Sequence, residues 1–130
     1  MESTAIVTLG PRRQGTFDMR RLWRAACYSY AGLKSAFVHE AAFRLELVLA
    51  AFLIPLAFHL TPSAVERALL IGSVLLVLIV EVVNSAIEAV VNRVSLDVHE
   101  LSGRAKDLGS AAVFLSLANV VAVWLIVLLG

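Results

Sequence analysis

Three long apolar stretches divide the chain, and each is long enough, with its flanking turns, to form a membrane-spanning helix. They run over residues 47–58, 68–80 and 113–129. A transmembrane helix needs about 20 predominantly apolar residues. Adding the neighbouring turns predicts spans at about residues 40–60, 62–94 and 105–129. The second would be roughly 50 Å long, so part of it must leave the hydrocarbon layer or line a protected site.

The turn between the first two spans carries two overlapping signals for a helix start. Thr61 followed by Pro62 is typical of an N-cap and a first helical residue. Ser63 with Glu66 three positions later matches a capping box, which is the alternative start. We place the start of the second span at Thr61 and Pro62.

Two segments precede the first span. Residues 1–19 show no sustained periodicity, which predicts a mobile polar tail. Residues 20–37 alternate apolar and basic positions at helical spacing, with Trp23 and Tyr30 among the apolar ones. This pattern favours an amphipathic helix lying in the lipid headgroup layer, and the alternative is an ordinary surface helix.

The second span acquires a polar stripe partway along its length. At 100° per residue, five side chains fall within an arc of about 100° on one helix face. They are Glu81, Asn84, Ser85, Glu88 and Asn92. A carboxylate beside the hydrocarbon layer is costly, which makes this stripe a hypothesis for a functional site.

Composition supports the membrane assignment and excludes other classes. The chain has 130 residues, of which 60% are hydrophobic and 16% charged, more apolar surface than a small soluble domain can hide. It reads as one domain. The net charge of +1 argues against a nucleic-acid binder, and the single cysteine excludes an internal disulfide.

The basic residues predict the topology. Six precede the first span and three lie between the second and third, whereas Arg67 alone lies on the opposite side. The positive-inside rule therefore places the N-terminus in the cytoplasm and the C-terminus outside. On this topology Glu40, Glu88, Lys106 and Asp107 share the cytoplasmic face.

Carboxylates, an amide and basic side chains at a membrane surface suit metal-assisted phosphoryl transfer. Carboxylate oxygens are ligands that Mg²⁺ prefers, and this reaction asks mainly for positioning and charge neutralisation. Neither a GxxxxGK[ST] nor a GxGxxG motif is present. Two alternatives stay open: Glu81 and Glu88 as structural anchors between packed helices, or as the lining of a non-enzymatic ion or proton pore.

Two long motifs identify a family. The runs EVVNSAIEAVV from Glu81 and HELSGRAKDLGSAAV from His99 resemble the prokaryotic diacylglycerol kinase family, as do ACYS from Ala26 and EAAFR from Glu40. The likeness extends from about Arg20 to the C-terminus. It implies an all-α membrane protein with an N-terminal interfacial helix and three transmembrane helices. It further implies a homotrimer in a bacterial inner membrane, with active sites shared between neighbouring chains.

The resemblance also implies an activity and residue roles. The family transfers the γ-phosphoryl group of ATP to diacylglycerol, with Mg²⁺ as cofactor. Glu81 would act on the lipid hydroxyl, and Glu40 and Glu88 would bind the metal. The expected ATP contacts are Arg21, Tyr28, Glu40, Glu88, Asp97, Val98, His99, Lys106 and Asp107. The expected lipid or supporting contacts are Arg21, Ala26, Tyr30, Asn84 and Ser110.

Three positions depart from the family's usual pattern. Asn92 stands where the family usually has Asp, so we assign it no catalytic role. Tyr30 and Ala31 differ from the common Trp and Lys, which affects lipid anchoring only. Undecaprenol kinase, a relative of the same architecture that acts on a polyprenol, is the alternative activity.

Overall fold

The computed structural model describes residues 18–94 and 97–130. Four helices run through these ranges: α1 Met19–His39, α2 Ala41–Leu60, α3 Ala64–Val94 and α4 Glu100–Leu129. The last three are long and apolar enough to cross a membrane. The predicted class, an all-α membrane protein with three spans behind an amphipathic helix, is confirmed. Most of the predicted tail, residues 1–17, lies outside the described residues.

A single extended residue, Glu40, separates α1 from α2. Its backbone N–H donates to the carbonyl of Ala36 at 2.9 Å and so ends α1. The guanidinium of Arg44, one turn into α2, donates to the carbonyls of Phe37 and Val38 at 2.8 and 3.1 Å. A cation at the C-terminal end of a helix satisfies otherwise unpaired carbonyls and complements the helix dipole. These bonds hold Glu40 at the corner between the two helices.

The predicted helix start at Thr61 is wrong. Thr61 has extended backbone and ends α2, and α3 begins at Ala64. The alternative start is the one observed, because the backbone N–H of Glu66 donates to Ser63 Oγ at 3.4 Å. The Thr61 hydroxyl instead donates to the carboxylate of Glu66. Serine and threonine are both good N-caps, so the local pattern did not distinguish the two starts.

The polar segment before the third span is more helical than expected. α4 begins at Glu100, ahead of the predicted residue 105, and His99 is its N-cap. The ring Nδ1 of His99 accepts the backbone N–H of Leu101 at 3.1 Å. The charged residues from Glu100 to Asp107 therefore lie on a rigid helix, continuous with the membrane span.

The helix α3 is the centre of the bundle, packed against α2 on one side and α4 on the other. Its buried side chains recur every three or four residues: Leu70, Ser73, Val74, Val77 and Glu81. On α4, Trp124 Nε1 donates to the carbonyl of Leu70 at 3.3 Å and ties the two helices together. Because Glu81 continues this buried face, the polar stripe begins inside the helix packing.

The outer faces of the helices are apolar. Phe52 on α2 and Ile126 on α4 are 72% and 71% exposed. On α1 only Ala36 is buried, whereas Trp23 is 72% exposed. Apolar side chains exposed to lipid avoid the unfavourable contact with water that they would make in a soluble protein. These faces therefore fit a bilayer around the spans and a headgroup layer along α1.

Candidate active site

Glu81 lies at the centre of a group of carboxylates. It is 4% exposed, and the charges of Glu40 and Glu88 both act on it. Glu88 is on the same face of α3, seven residues later, and Glu40 comes from the corner between α1 and α2. The three carboxylates predicted to carry the chemistry therefore approach one another within a single chain. Such a group at membrane depth has no role in apolar packing and marks a polar site.

A cleft of about 420 Å³ opens between α1 and α3 beside these carboxylates. Its wall contains Ser35 and Ala36 of α1, Val82 and Ser85 of α3, and Glu40 between α1 and α2. Ser85 Oγ is buried and has no hydrogen-bond partner. The carboxylate of Glu40 thus lies in the wall of a cleft that the amphipathic helix α1 borders.

A second cleft, of about 260 Å³, lies between the end of α3 and the start of α4. It brings together four residues predicted to contact ATP: Asp97, Val98, His99 and Lys106. Because His99 Nδ1 accepts the backbone N–H of Leu101, Nε2 is the ring nitrogen left for a ligand. Asn92, to which the sequence assigned no role, also lines this cleft. The cleft combines a cation, an imidazole and a carboxylate, groups suited to a nucleotide.

Asn84 lies between the carboxylates on α3 and faces α4. Its Oδ1 is buried without a hydrogen-bond partner and lies directly against Gly109. Ser110, the next residue on α4, is exposed. Asn84 is thus part of the site, and Ser110 follows the glycine against which Asn84 packs.

Several predicted residues are not brought to either cleft. Arg21, Ala26, Tyr28 and Tyr30 are exposed on α1, and Asp107 is exposed on α4. Among the described residues, no three His, Cys, Asp or Glu side chains form a group that could hold a metal ion. The predicted metal ligands, Glu40 and Glu88, carry hard oxygen donors of the kind that Mg²⁺ binds.

Glu46 belongs to the site and was not among the predicted site residues. It lies on α2, its charge interacts with Glu81, and its Oε2 is buried without a hydrogen-bond partner. It also lines an otherwise apolar cavity of about 160 Å³ between α2, α3 and α4. A signal was present in the sequence, because Glu46 falls three residues after Phe43 and four before Ala50, on the buried face of α2.

Comparison with known proteins gives one consistent family. The family model described as prokaryotic diacylglycerol kinase matches residues 27–128. The diacylglycerol kinase of Escherichia coli (strain K12) is 50% identical over 113 residues, covering 87% of this chain and 93% of the relative. That of Haemophilus influenzae is 52% identical over 109 residues, covering 84% and 92%. That of Pseudomonas aeruginosa is 51% identical over 117 residues, covering 90% and 95%.

Proposed function

The chain belongs to the prokaryotic diacylglycerol kinase family, and from that premise we propose that it transfers the γ-phosphoryl group of ATP to the free hydroxyl of diacylglycerol. The observation that carries the proposal is the buried Glu81 carboxylate, grouped with Glu40 and Glu88 beside the cleft under α1. The position of Glu81 and Glu88 on α3, a helix long and apolar enough to cross a membrane, supports a site where a lipid hydroxyl meets a phosphate. Two alternative hypotheses treat Glu81 and Glu88 as structural anchors or as the lining of a pore. Neither explains why the amphipathic helix α1 forms one wall of the cleft.

Glu81 would act on the acceptor lipid. The glycerol backbone of diacylglycerol would enter the cleft between α1 and α3, with its hydroxyl directed one turn deeper, from Ser85 toward Glu81. As the bond from the hydroxyl oxygen to the γ-phosphorus forms, the bond to the β–γ bridging oxygen breaks and ADP leaves. Glu81 takes the hydroxyl proton. A loose transition state makes orientation of the hydroxyl as important as removal of its proton.

Glu40 and Glu88 would hold Mg²⁺. Two carboxylates are a suitable protein contribution, because Mg²⁺ keeps several waters and takes its other ligands from the substrate phosphates. When bound, the ion neutralises phosphate charge.

ATP would occupy the cleft between α3 and α4. Lys106 supplies a positive charge for the phosphates, and Asp97, Val98 and His99 are suited to the ribose and base. Arg21, Tyr28 and Asp107, which are exposed in the single chain, would reach the nucleotide of a neighbouring chain. We therefore propose a homotrimer with shared sites, its N-terminus and both clefts on the cytoplasmic side and its C-terminus outside.

The proposal is tested by assaying the purified protein in mixed micelles with Mg-ATP and either diacylglycerol or undecaprenol. We expect phosphatidic acid from the first and little product from the second. Glu40→Gln and Glu88→Gln should each abolish turnover without dissociating the trimer, whereas Glu100→Gln, an exposed acid outside both clefts, should leave it unchanged. Near-normal turnover of both variants at saturating Mg²⁺ would contradict the metal assignment. Preference for undecaprenol would contradict the lipid assignment.

A further inference from the structure

Gly109 in α4 leaves space that the side chain of Asn84 in α3 occupies. A Cβ built at this position would overlap Asn84 Oδ1 and would lie 3.2 Å from Asn84 Cγ and 4.0 Å from Asn84 Cβ. Cβ atoms built at Gly32, Gly72 and Gly103 meet nothing within 4 Å. Gly109 is also buried, on the face of α4 that packs against α3.

The group that meets this position is the end of a side chain. All three Asn84 atoms within 4 Å are side-chain atoms, and no backbone atom of α3 is among them. A methyl group at residue 109 would therefore turn the amide aside before it forced the helices apart. Asn84 Oδ1 has no hydrogen-bond partner, so packing against Gly109 sets the position of this oxygen.

Asn84 lies on α3 between the two carboxylates that the proposed reaction uses. It follows Glu81 by three residues and precedes Glu88 by four, spacings that put all three side chains on one helix face. With its oxygen directed at α4, the amide directs its two N–H donors away from that contact. Along the helix, Asn84 therefore stands between the carboxylate proposed to act on the lipid hydroxyl and the one proposed to hold the metal.

We propose that Gly109 is a positioning residue for the reaction. By leaving space for the amide oxygen, it selects the orientation in which Asn84 donates its N–H groups to the transferring phosphoryl group. This inference rests on the proposed function, since it gives Asn84 a role in phosphoryl transfer. The new element is that the role of Asn84 depends on Gly109, an uncharged residue of α4 that contacts neither substrate.

The test is a double-mutant cycle with Gly109→Ala and Asn84→Ala, assayed in mixed micelles with Mg-ATP and diacylglycerol. Gly109→Ala alone should lower kcat by about 10- to 100-fold, in line with the effect of misplacing a group by about 1 Å. Its KM values for both substrates and the thermal stability of its trimer should stay near those of the parent. Gly72→Ala, which adds the same methyl group in open space, is the matched control and should be fully active.

In the Asn84→Ala background there is no amide to displace, so Gly109→Ala should lower kcat no further. Equal fold losses in both backgrounds, or full activity of Gly109→Ala, would overturn the inference. If Gly109→Ala fails to assemble, assembly of the double variant supports the amide contact, and its failure overturns it. Full activity of Asn84→Ala alone would instead refute the proposed role of Asn84, so the two failures are distinguishable.

Discussion

At the scale of single residues, the site depends on polar groups that the chain does not satisfy by itself. Glu46 Oε2, Asn84 Oδ1 and Ser85 Oγ are buried without hydrogen-bond partners, and Glu81 is nearly inaccessible. A buried polar atom left unpaired costs about 1–3 kcal/mol. Groups kept at that cost within a small membrane protein are expected to serve ligands.

The first residue-scale prediction concerns Glu81. Glu81→Gln keeps the shape of the side chain and loses the basic oxygen. Turnover should fall by about 100-fold or more, as expected for loss of a positioned acid–base group. Binding of lipid and of a non-hydrolysable ATP analogue, measured by calorimetry, should be nearly unchanged. A variant that dissociates, but is fully active once reassembled, would favour the structural-anchor reading.

The second residue-scale prediction separates function from stability at Glu46. Glu46→Leu replaces an unpaired carboxylate by an apolar group facing the apolar cavity. The trimer should become more stable, by about 1 kcal/mol, because an uncompensated polar burial is removed. Turnover should decrease, because Glu81 loses a neighbouring charge. Thermal unfolding and the micelle assay measure the two effects, and a loss of stability would mean that Glu46 is hydrogen-bonded in the assembled protein.

The sequence predicted which α3 residues belong to the site, but not which residues of the other helices contact them. The face shared by Glu81, Asn84 and Glu88 follows from helical periodicity alone, because it depends on spacing within one helix. The contact between Asn84 and Gly109 depends on how two helices pack, and no local pattern contains it. Glu46 was overlooked although helical spacing puts it on the buried face of α2, because its link to the site is the charge of Glu81 across the helix interface.

At the scale of elements, the ends of the helices determine the positions of Glu40 and of the residues that line the cleft between α3 and α4. The Glu40 corner is fixed by Arg44, and the start of α4 is fixed by His99, so both clefts are bordered by capping residues. The sequence showed the helices through their apolar runs but not these ends. Residues 100–104 fell outside the predicted third span, yet they are helical because His99 caps them and the span continues them.

The element-scale prediction concerns α1. Trp23 and Leu33, 72% and 54% exposed, belong to the apolar face that would rest on the bilayer. Replacing both with Ser should weaken that attachment and raise the apparent KM for lipid more than the KM for ATP. Leu129→Ser, which removes an 81% exposed side chain at the far end of α4, is the control. Equal changes in both constants would argue against lipid entry beside α1.

At the scale of the whole molecule, the single chain holds an incomplete set of the predicted ATP contacts. Asp97, Val98, His99 and Lys106 share one cleft, whereas Arg21 and Tyr28 are exposed on α1, outside both clefts. Family resemblance supplied the expectation of a shared site. Hydrophobic periodicity could not predict a shared site. A homotrimer's neighbouring chains have the same sequence, so the pattern of one chain does not show which residues of its neighbours it contacts.

The whole-molecule prediction is recovery of activity on mixing two inactive variants. Glu81→Gln and Arg21→Gln chains, each assembled alone, should be inactive. When the two are unfolded together and reassembled, random assortment should give intact sites in about a quarter of positions, if Arg21 and Glu81 of one site come from different chains. The micelle assay measures the recovery. Failure to recover activity, with trimers confirmed by cross-linking, would place each site within one chain.

The bond from Trp124 to the Leu70 carbonyl has a spectroscopic consequence. The chain has two tryptophans, one exposed on α1 and one joining α4 to α3. Replacing Trp23 with Phe leaves Trp124 as the only indole, so the emission of the protein then reports the contact between the two helices that carry Asn84 and Gly109. Indole emission shifts to longer wavelength when the ring meets a more polar environment. A single optical signal can thus follow the closing of α3 on α4 during assembly, independently of any substrate.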